Sequence, residues 1–104
     1  MVRFTAVLAL LALLTASARA QTTGDVGRGR VVANNLCAEC HAVNLGETSP
    51  RLESPTFEKI AATPGMTELA IKVWLQTPHP TMPNLMLPAN DREDIAAYIT
   101  SLKK

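Results

Sequence analysis

Apolar positions along this chain repeat at helical spacing. Residues 95–102 place apolar side chains at i, i+3, i+4 and i+7, the spacing of one helix face. Residues 25–36 place small and apolar side chains at i, i+3, i+7 and i+10, with Asp25 suited to the N-terminal end. No segment alternates apolar and polar residues over the length of a strand. The pattern therefore predicts an all-α fold.

Two shorter helices are predicted in the middle of the chain. Ser54 is placed as the N-cap of the first, with Pro55 at its first helical position, and this helix ends at Ala62. Thr67 caps the second, which runs to Gln76. The second helix is apolar over a wide stripe, so we expect it to contact apolar material on two sides.

Two segments are predicted to be irregular. Residues 42–55 contain glycine, proline and small polar residues, which are typical of a loop. Residues 77–88 contain four prolines, which exclude a regular helix. After them Asn90 and Glu93 have the spacing of a capping box, with Asn90 as the N-cap of the last helix.

The first twenty residues have the features of an export signal. Arg3 gives a positive start, and residues 4–14 form an apolar run too short to cross a bilayer. Ala18 and Ala20 then give the small-x-small pattern that a signal peptidase cleaves. We expect residues 1–20 to be a signal peptide and residues 21–104 to form one domain in the periplasm. An uncleaved membrane anchor is the alternative.

The charge of the chain is nearly balanced once this segment is removed. Arg3 and Arg19 leave with it, so eight of the ten basic residues remain against nine acidic ones, for a net charge near −1. This balance excludes the strongly basic surface of a nucleic-acid-binding domain. A domain this short buries a modest core and often needs a staple, such as a disulfide, a metal or a cofactor.

Cys37 and Cys40 are the only cysteines, and His41 follows them directly. A structural zinc site needs four ligands around a tetrahedron, and the adjacency of Cys40 and His41 hinders both from binding one ion. A thioredoxin-like redox site would open a helix after a strand, whereas this motif follows a predicted helix. A structural disulfide would close a very small loop and restrict the unfolded chain little.

A covalently bound haem accounts for the spacing of the motif. Thiols one helical turn apart can add to the two vinyl groups at one porphyrin edge, and the next residue then lies over the ring. We therefore predict one c-type haem, attached through Cys37 and Cys40, with the His41 imidazole as the proximal iron ligand.

The second axial ligand has several candidates. Four side chains later in the chain can bind iron: Met66, His79, Met82 and Met86. Met82 is favoured because it precedes Pro83 in a stiff loop and loses few conformational states on binding. Met86 is the main rival, although it lies in an apolar run that is typical of core residues.

The order of these motifs resembles the small bacterial class I c-type cytochromes over about residues 24–104. The resemblance is carried by Gly29 eight residues before Cys37, and by the C-A-E-C-H, S-P-T-F-E-K-I-A, T-M-P-N and D-I-A-A-Y-I-T-S-L-K segments. It implies about four helices around one haem, with crossing N- and C-terminal helices and Gly29 close to Tyr98. It also implies His/Met ligation and one-electron transfer.

Carried onto this chain, the resemblance assigns the iron to His41 and Met82. It implies that the Pro55 carbonyl accepts a hydrogen bond from His41. The usual Gly-Pro pair of the family appears here as Ser-Pro after a longer loop, so Pro50 is an alternative to Pro55. The Trp74 indole N–H would donate to a haem propionate, or else the ring would belong to the core.

These features together predict a periplasmic electron carrier with no catalytic residues of its own. Its expected partners are redox proteins, such as a respiratory complex, an oxidase or a dehydrogenase. We expect a monomer that binds no nucleic acid and inserts stably into no membrane. The alternatives are a haem-based gas sensor or ligand-binding module, and a dedicated haem subunit of a periplasmic dehydrogenase.

Overall fold

The computed structural model describes residues 24–77, 79 and 81–104. The predicted signal peptide and its cleavage site lie outside these residues. Within them the chain forms four helices: α1 (Val26–Leu36), α2 (Phe57–Ala62), α3 (Glu68–Gln76) and α4 (Ala89–Ser101). The described part contains no strand, and a single β-bridge pairs His79 with Met82. The predicted all-α fold is therefore confirmed.

Two of the predicted helix starts are confirmed. The Asp25 carboxylate caps α1 by accepting a hydrogen bond from the Arg28 backbone N–H at 2.8 Å. The Thr67 hydroxyl caps α3 by accepting one from the Ala70 N–H at 3.1 Å. Each cap satisfies a backbone donor that has no partner within its own helix.

The other two predicted N-caps are each wrong by two residues. Helix α2 is capped by Thr56, whose hydroxyl accepts from the Lys59 N–H, so Ser54 and Pro55 precede the helix. Thr56 is itself a strong N-cap in extended conformation, and it displaces the Ser-Pro start. Helix α4 begins one residue before Asn90, after Pro88, and no side chain caps it.

Helices α1 and α4 cross in close contact. A Cβ atom at Gly29 would overlap the Asp94 carbonyl and would lie only 2.9 Å from Tyr98 Cβ. Only glycine allows the two backbones to approach this closely. The expected crossing of the terminal helices, with Gly29 against Tyr98, is confirmed.

An ion-pair cluster holds the N-terminal end of this crossing. The Arg28 guanidinium lies 2.8 Å from an Asp91 carboxylate oxygen and 2.5 Å from an Asp94 oxygen. Asp94 is buried and also accepts a hydrogen bond from the Asp25 N–H at 2.7 Å. The Asp94 carboxylate of α4 thus binds both the N-cap residue of α1 and the Arg28 side chain of α1. These two bonds fix the position of one helix along the other.

The core lies between α4 and the other three helices. Its buried members include Ala33, Phe57, Ala61, Ile71, Ile95, Tyr98 and Ile99. Helix α3 contributes Ile71 to this core, while Leu69 and Val73 on the same helix are more than half exposed. None of the described helices combines the length and the apolarity needed to cross a membrane.

Candidate functional site

A cavity of about 430 Å³ lies between the end of α1, helices α2 and α3, and the loop after α3. This volume falls in the range of small-molecule and cofactor pockets. Most of its surface is apolar, with Phe57, Ile60, Ile71, Leu75 and Ile99 among the lining residues. The same cavity is also lined by Cys37, Cys40, His41, Pro55, Met66, Trp74, His79 and Met82.

The two cysteines reach the cavity from one turn of backbone. Cys37 ends α1 in helical conformation, and its carbonyl accepts hydrogen bonds from the Cys40 N–H at 3.2 Å and the His41 N–H at 2.9 Å. The helix is thus continued by one more turn, which places both thiols on the wall of one cavity. Both thiols are free, with Cys37 buried and Cys40 partly exposed.

The environment of Cys37 differs from that of a redox-active thiol. Burial, together with the nearby Cys40, raises the pKa of the Cys37 thiol to about 11. Thiols that exchange disulfides have a lowered pKa, because the thiolate is the reactive species. Within the described residues no three His, Cys, Asp or Glu side chains are grouped so that they could hold a metal ion. Burial of Cys37 thus disfavours its reactive thiolate form, and the described residues offer no grouping that would suit a zinc ion.

The orientation of His41 is fixed by a backbone carbonyl. His41 Nδ1 lies 2.6 Å from the Pro55 oxygen, and a carbonyl can only accept, so Nδ1 carries the proton. The Nε2 atom is then left with a free lone pair, as in histidines that bind metals. Pro55, rather than Pro50, supplies this carbonyl. The Phe57 ring packs against the imidazole with 5.6 Å between ring centroids.

The backbone directly after the motif is held by three hydrogen bonds. The Ala42 N–H donates to Ser49 Oγ at 3.0 Å, and the Ala42 carbonyl accepts from the Phe57 N–H at 2.9 Å. The Tyr98 hydroxyl donates to the Val43 carbonyl at 2.6 Å. Sequence reasoning missed these supports. The available signal was Tyr98 itself, a tyrosine on an apolar helix face whose hydroxyl needs a partner.

The methionines divide clearly around the cavity. Met66 and Met82 line it, whereas Met86 is 89% exposed and borders a separate groove. The expectation that Met86 is a core residue is therefore wrong. Residues 83–88 form neither helix nor strand, and the burial of their side chains changes from one residue to the next. Leu85 and Leu87 point inward, and Met86 points to solvent.

Trp74 borders the cavity and is not a core residue. Its side chain is 55% exposed, and its ring packs against His79 with 4.8 Å between centroids. The charged residues that line the cavity in the described part of the chain are Glu39 and Glu53. No lysine or arginine lies among the described lining residues. The cavity rim is therefore acidic, although the chain as a whole is nearly neutral.

The donor set fits a c-type haem. Two free thiols one turn apart, an imidazole with an available Nε2 and a thioether all line one largely apolar cavity. A c-type haem would use the two thiols for covalent attachment, the imidazole and the thioether as iron ligands, and the apolar lining residues to cover the porphyrin.

Comparison with known proteins agrees with this geometry. The family model "Cytochrome c" matches residues 26–103. Cytochrome c-552 of Bradyrhizobium diazoefficiens is 33% identical to the chain over 94 residues, which cover 90% of each protein. No solved structure matches the chain. With most of its length matched by the family, and with the family's C-x-x-C-H motif on the wall of a largely apolar cavity, the chain belongs to the cytochrome c family.

Proposed function

We propose that this protein carries single electrons in the periplasm by means of one c-type haem attached to Cys37 and Cys40. The observation that supports this most directly is the cavity itself, which gathers the two thiols, His41 and Met82 on its walls. Membership of the cytochrome c family and a relative named cytochrome c-552 support the same function.

His41 and Met82 are the proposed iron ligands. When bound, the haem supplies the exchange of one electron at its iron. The Pro55 carbonyl holds the His41 ring in place and raises the basicity of Nε2, which makes this nitrogen a stronger ligand for iron. A thioether ligand favours the reduced state, so Met82 raises the reduction potential relative to an imidazole in the same position.

The remaining lining residues control water and access. Phe57 and Ile71 are buried and keep the inner part of the cavity dry, which limits solvent reorganisation during electron transfer. Cys40 and Pro55 lie toward the exposed side, where an electron can leave through a thioether edge. Membership of the cytochrome c family and the relative named cytochrome c-552 favour a carrier over an enzyme, and we propose a carrier.

The proposed location rests on the export signal that the sequence predicts for residues 1–20, and the proposed partners are redox proteins of the same compartment. Trp74 and the acidic rim residues Glu39 and Glu53 border the cavity and are available to such partners. Because Trp74 lines the cavity, we also propose that its indole N–H donates to a haem propionate.

Two measurements test the proposal. The mass of the denatured periplasmic protein should equal the chain from Gln21 plus one haem, and a bare chain mass would contradict covalent attachment. Met82→Ala should then remove the sulfur-to-iron absorption band of the oxidised protein, while the control Met86→Ala should keep it. The opposite result for this pair would transfer the ligand role to Met86.

Reaction with carbon monoxide separates a carrier from a gas sensor. A carrier with a firmly bound Met82 should react slowly with carbon monoxide in stopped-flow measurements. Rapid binding by the unmodified protein would favour the sensor. Co-purification with a larger enzyme would instead favour a dedicated haem subunit.

A further inference from the structure

His79 has the same hydrogen-bonding arrangement as the proximal histidine. Its Nδ1 lies 2.6 Å from the Thr77 carbonyl oxygen, as His41 Nδ1 lies 2.6 Å from the Pro55 oxygen. In both cases the carbonyl can only accept, so Nδ1 holds the proton and Nε2 is left with a free lone pair. Histidines that bind metals regularly donate this second N–H to a carbonyl, so the His79 ring is arranged as a metal ligand would be.

His79 also faces the same cavity as Met82. The two residues form an antiparallel β-bridge, with the Met82 N–H 3.4 Å from the His79 carbonyl oxygen. Directly opposed residues of an antiparallel pair project their side chains to the same side, with Cβ atoms about 4.5–5.5 Å apart. Both side chains accordingly line the cavity on the side of the loop that follows α3.

The neighbouring ring of Trp74 limits the orientations of the His79 side chain. The two ring centroids are 4.8 Å apart, and the planes are inclined by 60°. Both rings line the cavity and are only partly buried, so the imidazole has room to move toward its interior. His79 and Met82 thus present a nitrogen donor and a sulfur donor to the same cavity.

We propose that His79 is a reserve iron ligand of the distal side, which binds the haem iron through Nε2 when Met82 does not. This inference rests on the proposed function, because it needs the haem and the ligation by His41. The exchange would leave the polypeptide and its two thioether attachments unchanged: one sulfur–iron coordination bond would open and one nitrogen–iron coordination bond would form. An imidazole favours the oxidised state more than a thioether does, so ligation by His79 lowers the reduction potential.

The reserve ligand would also keep the iron closed to small external ligands. A molecule that binds only when the sixth position is free has its affinity reduced by the fraction of time that the position is open. A protein that loses Met82 ligation therefore remains six-coordinate and does not become a ligand-binding haem protein.

The test compares three variants of the holoprotein by electron paramagnetic resonance and by binding of azide to the oxidised state. Met82→Ala should lose the sulfur-to-iron band and remain low-spin, with a signal typical of two imidazole ligands. His79→Ala with Met82→Ala should become high-spin and bind azide at least about tenfold more tightly than Met82→Ala alone. Met66→Ala with Met82→Ala is the matched control, since Met66 lines the same cavity, and it should behave like Met82→Ala.

The possible contrary results separate the two proposals. A high-spin Met82→Ala protein overturns the reserve role of His79 and leaves the His41/Met82 ligation intact. A low-spin state that persists in the His79→Ala, Met82→Ala protein also overturns it, because another group then binds the iron. If Met82→Ala keeps the sulfur-to-iron band, the ligand assignment in the proposed function fails, and the reserve role fails with it.

Discussion

The side of the cavity that carries His41 and the loop that carries Met82 differ in how the chain holds them. We call residues 37–57 the proximal segment and the described residues of 77–88 the distal loop. In the proximal segment Cys37, Ala42 and Val43 are buried, and buried hydrogen bonds fix the backbone after the motif. In the distal loop Leu87 is the one described residue that is buried.

Hydrogen bonding follows the same division. Between residues 79 and 86 the described residues form two hydrogen bonds with other described residues, His79 to Thr77 and Met82 to His79. The far end of the loop is held by Arg92, whose guanidinium donates to the Leu87 carbonyl. His41 thus lies in a segment that the folded core holds in place, whereas Met82, the proposed distal ligand, has few such supports and depends mainly on the stiffness that Pro83 gives the loop.

This difference indicates where stability and where redox properties are set. Changes in the proximal segment and in the α1–α4 crossing should alter folding, since these residues carry the buried contacts. Changes in the distal loop and on the cavity rim should alter the ligands or the reduction potential of the iron while leaving the fold in place. The predictions below test that division, from the largest expected effect to the smallest.

Removal of both attachment points should abolish the folded holoprotein. Cys37→Ala with Cys40→Ala prevents covalent attachment and leaves a cavity of about 430 Å³ without its filler. If that space stayed empty, the cost would be on the order of 10 kcal/mol, comparable to the whole stability of a small domain. Circular dichroism should show a largely unfolded or molten chain.

The single variants are the controls for this experiment. Cys37→Ala and Cys40→Ala each keep one thiol, so each should retain some covalently bound haem by mass spectrometry. A cooperative thermal transition with native helix content in the double variant would show that the core is sufficient without the haem. In that case the proximal segment would owe its order to protein contacts alone.

The crossing of α1 and α4 gives the second test. Gly29→Ala places a Cβ against the Asp94 backbone, so the helices must separate, at a cost of about 2–4 kcal/mol of unfolding free energy. Gly27→Ala is the matched control on the same helix, because its Cβ would meet only Asp25 Oδ1, at 3.4 Å. It should stabilise the protein by up to about 1 kcal/mol.

Chemical denaturation of the two glycine variants measures this difference directly. Equal unfolding midpoints would mean that the helices are not in contact as the structure has them. The absorption band of the sulfur–iron bond should survive in Gly29→Ala wherever the protein remains folded, since the atoms nearest to a Cβ at Gly29 belong to Asp94 and Tyr98 and not to Met82.

The Tyr98 hydroxyl gives a smaller and more local test of the proximal segment. Tyr98→Phe removes the hydrogen bond to the Val43 carbonyl and leaves that carbonyl buried. The expected loss is about 1–2 kcal/mol. Thr81→Ala in the exposed distal loop should change stability by less than about 0.5 kcal/mol. Equal losses in the two variants would contradict the division between the two regions.

Substitutions of the acidic rim residues should have the smallest predicted effect, a change in the reduction potential of the iron. Glu39 and Glu53 line the cavity, and a negative charge stabilises the oxidised iron more than the reduced iron. Glu39→Gln or Glu53→Gln should therefore raise the reduction potential by on the order of 20–40 mV, the effect of a unit charge about 10 Å away in a high-dielectric medium.

A redox titration at low ionic strength measures this shift, and added salt should reduce it. Glu93→Gln is the control, because Glu93 is exposed on α4 and does not line the cavity. A shift in the control as large as in the rim variants would show that total charge, and not the position of the rim carboxylates, sets the potential.

The features that could be predicted from the sequence are local ones. The helical period of residues 95–102 predicted α4, and the hydroxyl of Thr67 predicted the start of α3, because both depend on neighbours within one or two turns. The spacing of the C-x-x-C-H motif predicted haem chemistry for the same reason, since one turn of backbone fixes the separation of Cys37 and Cys40.

The tertiary structure decided what depends on distant contacts. The hydrogen bonds from His41 to the Pro55 carbonyl and from Tyr98 to the Val43 carbonyl join residues that no local sequence pattern relates. The exposure of Met86 depends on which way an irregular loop faces. The orientation of His79 toward the cavity has the same origin, because it depends on the bridge to Met82 and on the ring of Trp74. Periodicity and motif spacing determine which groups a chain can offer, whereas the packing of separate segments determines which of those groups meet.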